Sequence, residues 1–236
     1  MKDELKILAA RTAVDELVAR GRIRSGMKLG LGTGSTAMPA VRRIGELIAD
    51  GTLSGICAVA TSFQTTIACE NLGIPVYSMN SRQIGGSLDL AIDGADEISP
   101  EKHLIKGGGA ALLLEKIVAY NSAEFVVVAD GSKAVSSLGT KFALPVEIIP
   151  EARISVAAAL KKLGADAVLR EGVRKAGPVV TDNGNLILDC LWASPVQADE
   201  MEYEINRITG VVENGFFTRI LPSVWIARED GTIDRR

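Results

Sequence analysis

Three carboxylates stand within five residues in the segment Asp93-Gly94-Ala95-Asp96-Glu97, which directly follows the apolar run 88–92. Carboxylates this close repel one another, and the repulsion raises the pKa of at least one of them. A carboxyl group prepared in this way suits proton transfer. The structural alternative is that Asp96 or Glu97 caps a turn, or that Glu97 pairs with a basic neighbour.

A second segment joins a lysine, three glycines and a helical glutamate. Lys106 precedes Gly107-Gly108-Gly109, and a predicted helix over 111–121 carries Glu115. Successive glycines permit unusual backbone angles and expose N–H groups to an anion. Lys106 can neutralise developing negative charge. A base working near neutral pH needs a raised pKa, and partial desolvation of Glu115 among the neighbouring leucines would supply it. Considered alone, Glu115 is better explained as a surface residue.

Two further turns suit an anionic ligand. Residues 30–36 read GLGTGST between a strand and a helix, which is typical of a phosphate cradle, although a tight turn without ligand is the alternative. The segment is a poor match to the dinucleotide-binding fingerprint for two reasons. Ser35 stands where the third glycine is needed, and no acidic residue that could bind the ribose stands at the end of the second strand. In the segment Asp130-Gly131-Ser132-Lys133, Lys133 offers a point charge for phosphate. The structural alternative is that Asp130 and Ser132 form a turn and that Lys133 is merely solvated. Lys6 is a weaker candidate for a phosphate-binding charge, and we expect it to be simply solvated.

Alternation of strand and helix predicts an α/β fold with an open, Rossmann-like, mostly parallel sheet and helices on both faces. Ligands bind outside the carboxyl ends of such strands, so we expect the four segments to converge on one crevice. The predicted strands cover 28–31, 56–60, 76–79, 88–92 and 125–129, and the predicted helices cover 5–18, 36–48 and 111–121.

After about residue 140 the order becomes β-α-β-β-α-β, which predicts a smaller ferredoxin-like α+β domain. Its predicted strands cover 142–148, 167–170, 179–181, 186–189 and 211–213, and its helices cover 151–163 and 196–208. Asp182-Asn183-Gly184-Asn185 is a hairpin turn in this scheme. We therefore predict a Rossmann-like catalytic domain from residues 1–140 and 217–236, with 224–227 returning to the main sheet, and a small domain from 141–216.

Composition excludes several classes of protein. The 236 residues are 47% hydrophobic and carry a formal net charge of −3 without a basic stripe, which argues against nucleic acid as a partner. The cysteines at 57, 69 and 190 show no CxxC spacing, and the single histidine, His103, adds too little for a zinc site. No signal peptide or membrane-length apolar run is seen, so we expect a cytoplasmic protein and no membrane partner.

The motifs GLGTGST, TSFQTT, DGADE, KGGGAALLLEK, ADGSK, LPVEIIP and VTDNGNLILD stand in this order from about Glu4 to past Gly215. Together they resemble the type A ribose-5-phosphate isomerase family. The resemblance implies an aldose–ketose isomerase of the non-oxidative pentose phosphate pathway, which interconverts D-ribose 5-phosphate and D-ribulose 5-phosphate through an enediolate. It also implies no metal or organic cofactor and a homodimer or homotetramer.

The resemblance also implies roles for individual residues. Glu115 corresponds to the catalytic base. The reaction itself needs a group that stabilises the charged enediolate, for which we expect Lys106, and a group that moves the hydroxyl proton, for which we expect Asp93 or Asp96. The division of labour between the two aspartates stays open. Residues 173–178 depart from the family pattern and look like an insertion before the predicted strand 179–181. The implied substrate-binding residues are Thr33, Gly34, Ser35, Thr36, Asp93, Gly94, Ala95, Asp96, Lys106, Gly107, Gly108, Gly109 and Lys133.

Two other functions compete with this interpretation. A sugar-phosphate sensor of the same fold would need no base, so the combination of Asp93, Asp96, Lys106 and Glu115 argues against it. A nicotinamide dehydrogenase would need the glycine and the ribose-binding carboxylate that are missing here.

Overall fold

The computed structural model describes residues 2–236; Met1, which belongs to the predicted catalytic domain, lies outside the described residues. The chain divides into two compact units. The first unit comprises the residues up to Ala95 together with Leu114–Ser132 and Ile220–Arg236, and the second comprises Asp96–Leu113 and Lys133–Arg219. The boundaries inferred from sequence, 1–140 with 217–236 and 141–216, stay a prediction about folding domains.

Residues 2–236 form six α-helices and thirteen β-strands. Short 3-10 turns cover Gly131–Lys133 and Pro150–Ala152. In chain order the elements are α1 (Lys2–Ala19), β1 (Lys28–Leu31), α2 (Gly34–Ala49), β2 (Cys57–Ala60), α3 (Phe63–Asn71), β3 (Leu88–Asp93), β4 (Glu97–Ile98), β5 (Leu104–Ile105), α4 (Leu112–Tyr120), β6 (Ser122–Asp130), β7 (Leu144–Ile148), α5 (Arg153–Lys162), β8 (Ala165–Leu169), β9 (Leu186–Trp192), α6 (Ala198–Asn206), β10 (Val211–Asn214), β11 (Phe216–Phe217), β12 (Ser223–Ala227) and β13 (Ile233–Arg235).

The first unit is built on a six-stranded sheet in the order β13-β12-β6-β3-β1-β2. Every neighbouring pair is parallel except β12 with the edge strand β13, which is antiparallel. Six consecutive residues at the end of β6 are buried, as expected of a parallel strand covered on both faces. The predicted open parallel sheet, including the return of the chain at β12, is confirmed.

Helices cover both faces of this sheet. Leu29 and Leu31 belong to a core that also contains residues of α1 and α2. Gly30 stands between them in β1 and faces the opposite side, where a Cβ atom would lie 2.3 Å from Val118 of α4. Only a glycine allows the helix this close to the strand.

The second unit contains a four-stranded antiparallel sheet in the order β10-β7-β9-β8. In a β-α-β-β-α-β chain this is the order 4-1-3-2, so the predicted ferredoxin-like topology is confirmed. Its core joins Val146, Leu188 and Cys190 of the sheet with Val156 of α5 and Ile205 of α6. The same unit holds a small antiparallel sheet, β11-β5-β4, which the sequence does not predict.

Two predicted strands are wrong, and a third begins late. Residues 76–79 and 179–181 make only isolated bridges, Val76 with Ala58 and Val180 with Leu186. The strand expected from 142 starts at Leu144 because the Phe142 N–H donates to the Glu97 carboxylate and not to a strand. None of the helices within residues 2–236 has both the length and the apolar character needed to cross a membrane.

Candidate active site

The predicted site residues fall into two sets, one in each unit. The first unit holds Thr33, Gly34, Ser35, Thr36, Asp93, Gly94, Ala95 and Glu115. The second unit holds Asp96, Lys106, Gly107, Gly108, Gly109 and Lys133.

Within the first unit, three polar turns share one edge of the parallel sheet. β1 leads into Gly32, β3 ends at Asp93 and β6 ends at Asp130, and β3 lies between β1 and β6. From β1 the chain goes to β2 on one side and later to β3 on the other. The carboxyl edge of β1 and β3 is therefore a topological switch point, the usual place for a ligand in an open α/β sheet.

Asp93 ties two of these turns together. Its side chain is 3% exposed, and its Oδ1 accepts hydrogen bonds from the N–H groups of Thr33 at 3.1 Å and Gly94 at 2.7 Å. A Cβ on Gly32 would lie 2.0 Å from the same oxygen, so glycine is required for this approach. Asp93 thus holds the start of the GTGST turn against the DGADE segment.

The hydroxyl of Thr33 joins the GTGST turn to the segment after β2. It lies 2.6 Å from the Thr61 hydroxyl, 2.8 Å from that of Ser62 and 3.3 Å from that of Thr65. The Thr65 hydroxyl also donates to the Gly32 carbonyl at 2.8 Å. The motif TSFQTT therefore supports the turn, and Ser62 also caps α3.

Lys6 reaches the beginning of α2. Its Nζ lies 3.0 Å from the Ser35 Oγ and 3.2 Å from Asp3, and its side chain is only 18% exposed. The expectation that Lys6 is simply solvated is therefore wrong. A positive charge beside exposed Ser35 and the N-terminus of a sixteen-residue helix favours an anion at this position.

Glu115 lies in the first turn of α4 and is 5% exposed. The interpretation of this residue in isolation, as a surface glutamate, is wrong. Glutamate is almost never this buried without a specific polar environment, which marks Glu115 as a functional candidate.

At the end of β6, Asp130 is also buried. The carboxylate of Asp130 accepts hydrogen bonds from the Ser132 hydroxyl and, at 2.9 Å, from the Ser132 N–H. This pair forms the turn that sequence reasoning offered as the structural alternative.

Within the second unit, Asp96 and Lys133 lie beside the triple-glycine turn. The Asp96 Oδ2 accepts from the Gly108 N–H at 2.8 Å, and Lys133 Nζ lies 4.0 Å from Oδ1. Gly108 and Gly109 are exposed, and a Cβ on Gly108 would lie 2.8 Å from Asp96. The second unit thus brings together two carboxylate oxygens, an ammonium group and accessible backbone N–H groups.

Lys106 is 3% exposed, yet its ammonium group has an aromatic neighbour. Its Nζ lies 5.6 Å from the centroid of the Phe217 ring, a distance at which a cation is attracted to the ring face. Its backbone N–H donates to the Gly215 carbonyl at 2.9 Å. Gly107 then adopts φ +107°, which only glycine tolerates readily. The backbone at Lys106 is therefore fixed on one side and turns sharply on the other.

Glu97, the third carboxylate of the acidic segment, has a structural role. It is 1% exposed and accepts from the N–H groups of Gly139, Lys141 and Phe142 at 2.6, 2.7 and 2.8 Å. These three backbone donors match the structural alternative in which Glu97 caps a turn, and not the one in which it pairs with a basic side chain. Within residues 2–236, no three histidine, cysteine, aspartate or glutamate side chains are grouped as a metal-ligand set.

The fold and the residues described above define a class of protein: an α/β protein with a glycine-containing turn and Lys6 at a helix N-terminus, several buried carboxylates and a buried lysine. Comparison with known proteins makes this specific. The family model for ribose 5-phosphate isomerase A (phosphoriboisomerase A) matches residues 57–231.

Relatives and solved structures agree over nearly the whole chain. The ribose-5-phosphate isomerase A of Treponema denticola is 62% identical, covering 98% of this chain and 98% of its own. The structure of ribose 5-phosphate isomerase A from Methanocaldococcus jannaschii has a TM-score of 0.89 at 42% identity, covering 99% and 98% of the two chains. A D-ribose-5-phosphate isomerase in complex with phospho-erythronic acid has a TM-score of 0.92 at 38% identity, covering 100% and 99%. The chain therefore belongs to the ribose 5-phosphate isomerase A family, and the resemblance found in the sequence is confirmed.

Proposed function

We propose that this chain is an aldose–ketose isomerase that interconverts D-ribose 5-phosphate and D-ribulose 5-phosphate through an enediolate, in the non-oxidative pentose phosphate pathway. The observation that carries this proposal is the 62% identity to a ribose-5-phosphate isomerase A across 98% of both chains. Such similarity over a full chain favours the same reaction over the sensor and dehydrogenase alternatives.

Glu115 acts as the base in this proposal. The reaction moves a proton between adjacent carbons, so one group takes the proton from carbon two and returns it to carbon one. The burial of Glu115 in the first turn of α4, directly after the KGGG segment, supports this role.

Lys106 and the triple-glycine turn stabilise the enediolate. The intermediate carries negative charge on oxygen, and fixed positive groups with little surrounding water stabilise such charge strongly. Buried Lys106 and the N–H groups of Gly107 and Gly109 are suited to this task. Asp93 or Asp96 moves the hydroxyl proton and assists ring opening.

The phosphate of the substrate binds at the N-terminus of α2. Thr33, Gly34, Ser35 and Thr36 offer backbone and hydroxyl donors there, and Lys6 adds a positive charge 3.0 Å from the Ser35 hydroxyl. Lys133 is a further phosphate ligand in this scheme, and Gly94 and Ala95 line the sugar. Binding energy at the phosphate then positions the reacting carbons.

The finer features of the proposal concern assembly and location. We expect a homodimer or homotetramer in the cytoplasm that requires no metal or organic cofactor. Light scattering coupled to size-exclusion chromatography determines the number of subunits, and a monomer would contradict the expected assembly.

The reaction is tested by adding the protein to ribose 5-phosphate in the presence of EDTA and following ketose formation. We expect turnover that EDTA does not alter. Binding of ribose 5-phosphate without turnover would support the sensor alternative and refute the proposal.

The role of the base is tested by Glu115→Gln, which keeps the size of the side chain but cannot accept the proton. We expect kcat to fall by about a hundred- to ten-thousand-fold, the usual cost of losing a general base. Glu70→Gln makes the same change at an exposed position on α3 and should leave kcat unaltered. Activity of Glu115→Gln within a few-fold of wild type would exclude Glu115 as the base.

A further inference from the structure

Arg170, directly after β8, forms a bidentate ion pair with Asp189 of β9. Its Nε lies 2.8 Å from one carboxylate oxygen and its Nη2 lies 2.5 Å from the other. The two side chains are 14% and 28% exposed, so water competes little with this pairing. Because the guanidinium is planar and both bonds are made at once, Asp189 fixes the direction of the remaining nitrogen, Nη1.

The fixed Nη1 donates to the backbone of the triple-glycine turn. It lies 2.9 Å from the carbonyl oxygen of Gly107 and 3.2 Å from that of Gly108. These carbonyls are 62 or more positions away in the chain, so only the fold brings them to Arg170.

These contacts determine where the N–H groups of the turn point. The described residues contain no cis peptide bond, so each C=O is opposite to the N–H of the same peptide group. The peptide between Gly107 and Gly108 is therefore held at both ends, by Arg170 at its carbonyl and by Asp96 at its N–H, 2.8 Å away. In the next peptide, Arg170 holds the Gly108 carbonyl, which directs the Gly109 N–H to the opposite side.

We infer that Arg170 is a positioning residue for the isomerisation, locked by Asp189, and that it fixes the peptides of the Gly107–Gly109 turn and through them Asp96. This inference rests on the proposed function, in which the turn stabilises the enediolate and Asp96 is a candidate for proton transfer. Glycines leave a backbone free to rotate, whereas electrostatic stabilisation of a transition state needs donors that are already oriented. Arg170 supplies the restraint that the glycines lack.

A simpler role for Arg170 would be to join β8 and β9. The two strands, however, already pair over five residues from Ala165 to Leu169, and the Arg170 N–H also donates to the Ile187 carbonyl. The strand pairing therefore does not depend on the side chain. A purely structural role predicts lower stability without a specific effect on the chemical step.

Arg170→Ala tests the inference, with Arg22→Ala as the matched control. Arg22 also pairs with a partly buried carboxylate, that of Glu124, but Glu124 stands near the beginning of β6 and therefore at the edge of the main sheet opposite to the candidate site. Displacement of a catalytic group by about 1 Å costs on the order of a hundred-fold, so we expect kcat of Arg170→Ala to fall by about ten- to a hundred-fold. We expect KM for ribose 5-phosphate to change little, because phosphate binding is assigned to other residues. Millimolar guanidinium should restore part of kcat, whereas ammonium should not.

Hydrogen exchange followed by mass spectrometry supplies a readout that needs no activity. Peptides containing residues 106–110 should exchange their amide hydrogens faster in Arg170→Ala than in the wild-type protein. In Arg22→Ala they should exchange at the wild-type rate. If Arg170→Ala does not fold, Arg170→Lys carries the same tests; one ammonium cannot satisfy Asp189 and both carbonyls, so a smaller loss in kcat and faster exchange are expected.

The inference would be overturned by a wild-type kcat in an Arg170 variant. It would also be overturned by a lower kcat that guanidinium does not restore and that comes without faster exchange in residues 106–110. A wild-type protein without isomerase activity would refute the proposed function, while exchange in residues 106–110 would still decide whether Arg170 holds the turn.

Discussion

Lys6 shows how a single side chain changes the chemistry of a turn. The backbone at the start of α2 supplies a partial positive charge to any anion. A full charge at 3.0 Å from the Ser35 hydroxyl adds an interaction that glycines and hydroxyls cannot supply. Since hydrogen bonds to charged groups are about twice as strong as neutral ones, Lys6 should contribute measurably to the binding of the phosphate.

Lys6→Met removes this charge and keeps the aliphatic stem. We expect KM for ribose 5-phosphate to rise about ten-fold, which corresponds to about 1.4 kcal/mol, while kcat changes much less. Steady-state kinetics over a range of substrate concentrations measure both constants. Lys2→Met makes the same change at an exposed position of α1 and should alter neither. A fall in kcat at unchanged KM would instead place Lys6 in the chemical step.

At the scale of elements, Glu16 of α1 secures the end of the main sheet. Its carboxylate accepts from the Trp225 indole of β12 at 3.1 Å and from Arg235 Nε of β13 at 2.9 Å. The hydrogen bonds from Arg235, followed in importance by that from Trp225, lower the pKa of Glu16 from 4.5 to about 2 against the effect of burial. One side chain thus connects a helix with the two last strands.

Glu16→Gln should lower the free energy of unfolding by about 1 kcal/mol near neutral pH, because charged hydrogen bonds are lost at a partly buried site. The pKa is lower in the folded state than in the unfolded state. The stabilisation by Glu16 is therefore complete above about pH 4.5 and is lost as the pH falls towards about 2. Urea unfolding over this range should show a weaker pH dependence in the variant.

Glu46 supplies the control for this experiment. Its pKa is also lowered to about 2, by Arg11 and then Arg43, but its side chain is 44% exposed. Solvent screens such a pair, so Glu46→Gln should destabilise the protein less than Glu16→Gln. An equal loss in both variants would contradict the importance assigned to the contacts of Glu16.

The elements that sequence reasoning found have strong local patterns. The apolar run in β6 and the helical spacing in α1 are readable because burial repeats along a few neighbouring residues. The two-residue strands β4, β5 and β11 and the polar strand β13 have no such pattern. They exist because distant segments pair with them, as Phe216 does with Ile105.

The same difference separates the predicted site residues from Arg170, which belongs to no motif, and from Lys6, for which solvation is expected from the sequence. The glycines and carboxylates of the four turns stand in short motifs, so the sequence identifies them. Arg170 lies 63 positions from Gly107, and Lys6 lies 29 positions from Ser35. Neither has a neighbour in sequence that would distinguish it from a solvated cation. The burial of Glu115 likewise follows from the packing of α4 and not from its immediate sequence.

At the scale of the whole molecule, each unit has its own core with one fully buried cysteine. Cys69 lies in the core of the first unit and Cys190 in that of the second. Burial raises the pKa of the Cys69 thiol from 9.0 to about 11 and that of Cys190 to about 12. Cys57, at the start of β2, is partly exposed.

The three thiols should therefore react in a fixed order. The thiolate is the reactive form of cysteine. The raised pKa lowers the fraction of thiolate at a given pH about 100-fold for Cys69 and more for Cys190, and burial also shields both sulfur atoms from the reagent. We expect a thiol reagent to modify Cys57 first in the native protein, and Cys57→Ser to abolish this fast phase. Mass spectrometry of digested samples identifies the modified residue.

Labelling of the two buried cysteines then reports the opening of each unit. A core thiol reacts only when its surroundings unfold locally or globally, so its rate measures the free energy of that opening. Both rates should rise with urea, with Cys69 following the first unit and Cys190 the second. Glu16→Gln, which weakens the first unit, should accelerate labelling of Cys69. Rapid labelling of Cys69 or Cys190 in the native protein would contradict the burial on which this prediction depends.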